Sequence, residues 1–144
     1  MAVSIQFTSE HIKNIKQDAE LAYPNEACGL ITGWTIDSDV LEVMRVVKAQ
    51  NIRASEPGNR FEVDPGTRIK LEKKIRGTNE QLIAHYHSHP DNPATPSNTD
   101  LINAHEPELI WIIVSVEGGK ASDVAAHQVL EDKTSFKKVS ILVK

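Results

Sequence analysis

Three histidines alternate within residues 85 to 100, HYHSHPDNPATPSNTD, and an aspartate stands eleven positions after the last of them. Side chains two positions apart in an extended chain point to the same side, so the imidazoles of His87 and His89 can reach one ion. Asp100 lies one turn into a helix that we predict to begin near Ser97, and it can add a carboxylate oxygen. Two histidines and one carboxylate, with water in the fourth position, are typical of a catalytic zinc site. Zinc bound in this way lowers the pKa of its water to about 7.

Other interpretations of the same stretch remain open. An isolated His-x-His pair usually binds no metal, but Pro90, Ser97 and Asp100 at their spacing make coincidence improbable. His85 extends the alternation, yet pairing it with His87 would break the spacing to Ser97 and Asp100, so we assign His85 a place at the pocket edge or in packing. Ser97 taken alone is most simply the N-cap of the short helix, and that role is compatible with a catalytic one.

The other residues that could do chemistry have weaker support for a functional role. Cys28 is a lone cysteine without an activating partner, so we expect a small buried side chain and no nucleophile. Three histidines have no partner at ligand spacing and are expected at the surface or satisfied in the core: His11, His105 and His127. Trp34 and Trp111 lie on predicted strands, where a core position is favoured over ligand stacking.

Two segments carry a resemblance to a known family. His87-Ser88-His89-Pro90, followed by Ser97 and Asp100, resembles the signature of JAMM (MPN+, Mov34/PAD-1) zinc metallopeptidases. Residues 23 to 30, YPNEACGL, are similar to the segment that supplies the family's upstream catalytic glutamate, and residues from about 5 to 130 follow the family order.

The resemblance implies that His87, His89 and Asp100 ligate one Zn²⁺. It also implies that Glu26 moves the proton of the attacking water to the leaving amine, while Ser97 hydrogen-bonds the oxyanion. These roles are consistent with amide hydrolysis, which needs a nucleophile, oxyanion stabilisation and an acid for a poor leaving group.

The family also implies a fold and a substrate class. We expect a single α/β domain over residues 1–144, with a curved mixed β-sheet flanked by helices in the JAMM, cytidine-deaminase-like architecture. The chain is short after Asp100, like compact prokaryotic members. It is therefore expected to hydrolyse an amide or isopeptide bond after the C-terminal Gly-Gly of a ubiquitin-like or sulfur-carrier protein, with the tail along a sheet edge.

Two other functions are considered. Family members that have lost the ligands serve as non-catalytic interaction modules, but all the ligands are present here. Zinc-dependent deamination uses the signature H-x-E with P-C-x-x-C, which this sequence lacks.

The elements that must position these residues follow from periodicity and turn residues. Helices are predicted after Thr8 or Ser9 until before Pro24, from Pro65 to Gly77, and from Ser97 through Ala104. Strands are predicted over residues 3–7, 28–36, 40–47, 60–64, 81–87, 109–116, 121–130 and 135–143. Residues 50–59 form a polar loop that can leave the site open or cover it.

Composition and charge limit the partners and the cellular location that the sequence allows. A length of 144 residues suits one domain, and a net charge of −4 argues against binding to nucleic acid. No run approaches the ~20 apolar residues that span a bilayer, and the start MAVSIQFTSE is unlike a secretory leader, so we expect a cytoplasmic protein without a membrane partner. The single cysteine excludes an internal disulfide and a cysteine-rich zinc site.

Overall fold

A computed structural model of the chain describes residues 2–56 and 60–144. Pro57, Gly58 and Asn59, the end of the loop predicted over residues 50–59, lie outside the described residues. The described elements, in chain order, are β1 (Ser4–Phe7), α1 (Ser9–Ala22), β2 (Cys28–Asp37), β3 (Val40–Ala49), α2 (Pro65–Ile75), β4 (Gln81–Pro90), α3 (Asn98–Ile102), β5 (Ile110–Glu117), β6 (Lys120–Val129) and β7 (Phe136–Val143).

The strands form one mixed sheet that closes into a barrel in the order β1-β3-β2-β4-β5-β6-β7. β1 closes it by pairing in parallel with both β3 and β7, for example Ser4 with Val40 and with Ser140. β4 and β5 are also parallel, and the other pairs are antiparallel. The predicted α/β fold is confirmed. β1 pairs with β3 only over residues 40–42, so the rest of β3 pairs with β2 alone among the described strands, and a sheet edge for the substrate tail stays a prediction.

β5 is buried along almost its whole length, as predicted for a strand covered on both faces. Ile112 and Val114 belong to the main core cluster together with Ile15 of α1. Trp111 belongs to a separate cluster with Val129. Burying a large apolar side chain contributes about 1.5–3 kcal/mol, so this strand anchors the centre of the domain on which the site is built.

The helices begin where the sequence predicts. Thr8 accepts the N–H of His11 to cap α1, and Asp64 caps α2 directly before Pro65 in the first turn. α3 starts after Ser97 but ends at Ile102, short of the predicted Ala104. No helix within residues 2–56 or 60–144 has the length and apolar character needed to cross a membrane.

The strand predicted over residues 60–64 is wrong. The alternation of RFEVD is real, but this segment pairs only with Asn51, through a single isolated bridge at Val63. The N–H of Glu62 donates to the side chain of Asn51 instead of to a backbone carbonyl. A ladder cannot continue where a side chain takes the place of the neighbouring backbone.

Candidate metal centre

β4 places two imidazoles on one face, close to its end. His87 and His89 are separated by Ser88, and their Nε2 atoms lie 3.0 Å apart. Both rings are buried, with exposed fractions of 0% for His87 and 8% for His89. The alternation of side chains along a strand explains this convergence, as expected from the sequence.

Asp100 completes the cluster from the first turn of α3. Its Oδ1 lies 3.4 Å from His87 Nε2, and its Oδ2 lies 3.2 Å from His89 Nε2. Ser97 fixes this turn through a reciprocal capping box, because the Asp100 N–H donates to Ser97 Oγ at 3.0 Å and the Ser97 N–H donates to Asp100 Oδ2 at 2.9 Å. Ser97 is therefore the N-cap that its sequence position predicts.

The donor atoms fit a metal ion in number and in chemistry. One ligand atom from each of His87, His89 and Asp100 lies within 4.8 Å of the others. Burial would raise the pKa of Asp100, but hydrogen bonds with His87, His89 and the Ser97 N–H hold it well below its usual range. An ionised carboxylate facing two imidazole nitrogens, all buried, is a suitable set for Zn²⁺ with a fourth position left for water.

The loop after β4 fixes His89. His89 Nδ1 contacts the carbonyl oxygen of Pro93 at 2.9 Å, and since a carbonyl only accepts, Nδ1 carries a proton. In the neutral ring the lone pair of Nε2 is then left for a metal. Ser115 Oγ donates to the Asn92 carbonyl at 2.7 Å and His127 Nε2 bonds the Ala94 carbonyl at 3.0 Å, so three successive carbonyls of this loop are held by side chains.

Glu26 lies at the same site, between α1 and β2. It is buried, with an exposed fraction of 4%, and lines a cavity of about 300 Å³ together with His89 and Ser97. Burial raises the pKa of Glu26 to about 8, nearby His89 lowers it and nearby Asp100 raises it. A carboxyl group with this pKa can exchange a proton near neutral pH.

A larger cavity opens beside the cluster. It measures about 480 Å³, and its lining includes Phe61, Arg68, His85, Asp100 and Trp111. His85 thus lies at a pocket edge, as predicted, with its ring against Trp111 at a centroid distance of 4.4 Å. Burial lowers the pKa of His85 to about 3, so the ring is neutral.

The other candidates take the places that the sequence predicts for them, except Trp34, which is half-buried and donates to Glu42 instead of lying in the core. Cys28 is fully buried, and burial raises the pKa of its thiol to about 12. Trp111 and His127 are buried as well, the latter with its hydrogen bond to Ala94.

Three contributing residues were missed from the sequence. Ser88 accepts the N–H of Ala27 at 2.8 Å, next to Glu26. The Phe61 ring stacks on His87, and the Asn51 side chain binds the carbonyl of Glu26. The only available signal was the position of Ser88 between the two histidines. Asn51 and Phe61 act across the fold, which no local pattern encodes.

Comparisons with known proteins agree with this geometry. The model of the family described as prokaryotic homologues of the JAB domain matches residues 8–129. A desampylase from Haloferax volcanii is 31% identical over 120 residues, which make up 83% of this chain and 79% of the relative. A CysO-cysteine peptidase from Mycobacterium tuberculosis is 26% identical over 120 residues, with coverages of 83% and 79%.

A solved structure extends the match to almost the whole chain. The solution structure of a protein from Desulfitobacterium hafniense superposes with a TM-score of 0.81 at 30% identity, and covers 97% of this chain and 92% of that chain. The curated relatives indicate hydrolytic activity of the JAB type. This chain is therefore an enzyme and not a non-catalytic interaction module. The chain belongs to the prokaryotic homologues of the JAB domain, the family that its histidine and aspartate spacing predicts.

Proposed function

We propose that this chain, acting as one domain over residues 1–144, hydrolyses the amide or isopeptide bond after the C-terminal Gly-Gly of a ubiquitin-like or sulfur-carrier protein. His87, His89 and Asp100 would hold one Zn²⁺, and Glu26 and Ser97 would be the catalytic residues. The observation that carries the proposal is the convergence of three buried ligand atoms within 4.8 Å, beside a buried carboxyl that lines the same cavity.

The ion and the side chains have separate tasks. Zn²⁺ in such a set supplies a Lewis acid and makes water acidic enough to act as a nucleophile near neutral pH. Glu26 accepts the proton of the attacking water and returns it to the leaving amine, a step for which its raised pKa is suited. Ser97 Oγ accepts the Asp100 N–H, and its hydroxyl proton is then available to the oxyanion of the tetrahedral intermediate.

The substrate class is supported by what the relatives are named for. They include desampylases, CysO-cysteine peptidases and a probable TtuB-protein conjugate cleaving protease from Thermus thermophilus. Gly-Gly is the tail that a narrow path to a buried centre accepts, because glycine has no side chain to exclude. The leaving group would be a free amino acid such as cysteine or a lysine side chain. We also propose a cytoplasmic location, where reducing conditions keep Cys28 as a thiol.

The test of this function uses intact-mass spectrometry. A carrier ending in Gly-Gly and fused to cysteine or to a lysine-linked peptide should be cut after the last glycine by protein holding about one zinc per chain. His89→Ala should abolish zinc binding. A wild-type protein that binds no zinc, or that leaves every such fusion intact, contradicts the proposal.

Glu26→Gln separates the proton transfer from metal binding. This change keeps the size of the side chain but removes the titrating group, so turnover should fall by about 10²- to 10⁴-fold while zinc content stays at the wild-type level. Glu131→Gln, at an exposed position, is the matched control and should leave both unchanged. A Glu26→Gln variant with wild-type turnover would exclude Glu26 as the proton carrier.

A further inference from the structure

The two histidines of the cluster are held by different means. His89 is fixed by the hydrogen bond from its Nδ1 to Pro93, but His87 Nδ1 is buried and has no hydrogen-bond partner among the described residues. Metal-binding histidines almost always donate their second ring nitrogen to a partner that orients the ring. His87 therefore needs another source of orientation.

Phe61 supplies one. Its ring stacks on the His87 imidazole with a centroid distance of 4.1 Å and an interplanar angle of 12°. Aromatic pairs of this kind favour a fixed mutual orientation of the two rings in addition to the area that they bury. Trp111 also meets His87 edge-on at 5.5 Å and contacts Phe61 edge-on at 6.0 Å, so the three rings pack against one another.

Asn51 holds the segment that carries Phe61. Its Nδ2 donates to the Arg60 carbonyl and its Oδ1 accepts the Glu62 N–H, each at 3.0 Å, so both peptide groups flanking Phe61 are fixed. The same Nδ2 also donates to the Glu26 carbonyl at 3.0 Å. One amide side chain thus connects the backbone of the proposed proton carrier to the ring that covers a proposed zinc ligand.

We propose that Phe61 and Asn51 are positioning residues of the centre, an inference that rests on the proposed function. Phe61 orients His87 by stacking in the place of a hydrogen bond. Asn51 acts through Phe61 on the metal, and through its own bond to the Glu26 carbonyl on proton transfer. Aspartate cannot replace it, because a carboxylate has no N–H to donate to the two carbonyls.

The test of Phe61 measures zinc affinity by chelator competition, without any substrate. Phe61→Leu should raise the Kd for Zn²⁺ by about two- to tenfold, the loss expected when one aromatic pair is removed. Phe61→Tyr keeps the ring and should restore the wild-type Kd. The visible spectrum of the Co²⁺-loaded protein should change in Phe61→Leu and not in Phe61→Tyr.

Phe136→Leu is the matched control. Phe136 packs against the same aromatic cluster, at 5.4 Å from Trp111, but its ring pairs are with Trp111 and His127 and not with His87. The Phe136→Leu variant should have a lower melting temperature than wild type and an unchanged Kd for Zn²⁺. Equal zinc affinities in Phe61→Leu and wild type, or an equal loss in Phe136→Leu, overturn the role of Phe61. Should Phe61→Leu fail to fold by circular dichroism, Phe61→Met provides the same comparison.

Asn51 is tested by combining variants. Asn51→Ala should weaken zinc binding, and adding it to Phe61→Leu should weaken binding no further, because both changes act on one contact. At saturating zinc, Asn51→Ala should still lower kcat at least tenfold more than Phe61→Leu does, since only Asn51 holds the Glu26 backbone. Asn51→Asp should behave like Asn51→Ala, and Asn14→Ala on the exposed face of α1 like wild type.

Two results would contradict the proposed positioning role of Asn51. Losses of zinc affinity that multiply in the double variant would mean that Asn51 does not act through Phe61, and equal kcat values at saturating zinc would mean that it does not position Glu26. A wild-type protein that binds no zinc contradicts the proposed function itself, whereas a zinc-binding wild type with unaffected variants contradicts only this inference.

Discussion

Ser88 ties the strand of the two histidines to the segment of Glu26, so its side chain can be removed to test the geometry of the site. Its Oγ accepts the Ala27 N–H at 2.8 Å in a buried position, and its own N–H donates to the Ala27 carbonyl at 3.1 Å. Ser88→Ala removes the first bond only. The Ala27 N–H, one residue from the proposed proton carrier, is then left buried without its acceptor.

The expected magnitude follows from that unpaired donor. A buried N–H without a partner costs about 1–3 kcal/mol. For a chain of this length, roughly 3 °C of melting temperature corresponds to each kcal/mol, so the metal-free protein should melt roughly 3–9 °C lower than wild type. Turnover should fall as well, about tenfold for each 1.4 kcal/mol of alignment that Glu26 loses.

The assay is thermal denaturation after removal of metal, followed by kinetics at saturating zinc. Ser140→Ala, at an exposed position of β7, is the control and should match wild type in both measurements. A Ser88→Ala protein with wild-type melting temperature and turnover would show that the bond to Ala27 supports neither the fold nor the position of Glu26.

Three further predictions concern the scaffold. Gly29→Ala should abolish folding, because a Cβ there would lie 2.1 Å from Tyr86 Cε2. The control Gly66→Ala should be tolerated, because the nearest atom to its Cβ lies at 3.3 Å. Soluble yield and circular dichroism measure whether each variant folds. Tyr86→Phe removes a buried hydrogen bond of 2.6 Å to Asp18 and should lower the free energy of unfolding by about 1.5–3 kcal/mol in urea titrations. The Cys28 thiol, with a pKa of about 12, should stay protonated and unreactive toward thiol reagents at pH 8 until the protein unfolds; fast labelling of the native protein would contradict its burial.

The convergence of His87, His89 and Asp100 was predictable because the sequence patterns behind it are local. His87 and His89 converge through the alternation of one strand, and Ser97 with Asp100 forms a capping box within one helical turn. Both patterns span few residues and depend little on the rest of the fold. The role of Glu26 stays a prediction, although the structure places it on the same cavity as His89 and Ser97.

The strand order and the residues that support the site depend on contacts between segments that are distant in the sequence. Closure of the sheet requires Ser4 to pair with Ser140, and no periodicity along the chain reports which strands become neighbours. The alternation of residues 60–64 predicts a strand, but the segment forms only one bridge, between Val63 and Asn51, and the Asn51 side chain takes the Glu62 N–H. The sequence therefore predicts a loop at Asn51 and a strand at Phe61, and it does not reveal their contacts with Glu26 and His87.

The closed barrel also has a consequence for how the site would exchange its metal. Residues 84–87 of β4 are paired with both β2 and β5, so the amide protons of this stretch should exchange with solvent only when the barrel opens as a whole. α3, which carries Asp100, has only five residues and meets the described strands through side chains alone, such as Leu101 against Trp111, so it should open at a lower free-energy cost than β4. Release of the ion should therefore begin at the aspartate and leave the two histidines in register, ready to rebind without refolding.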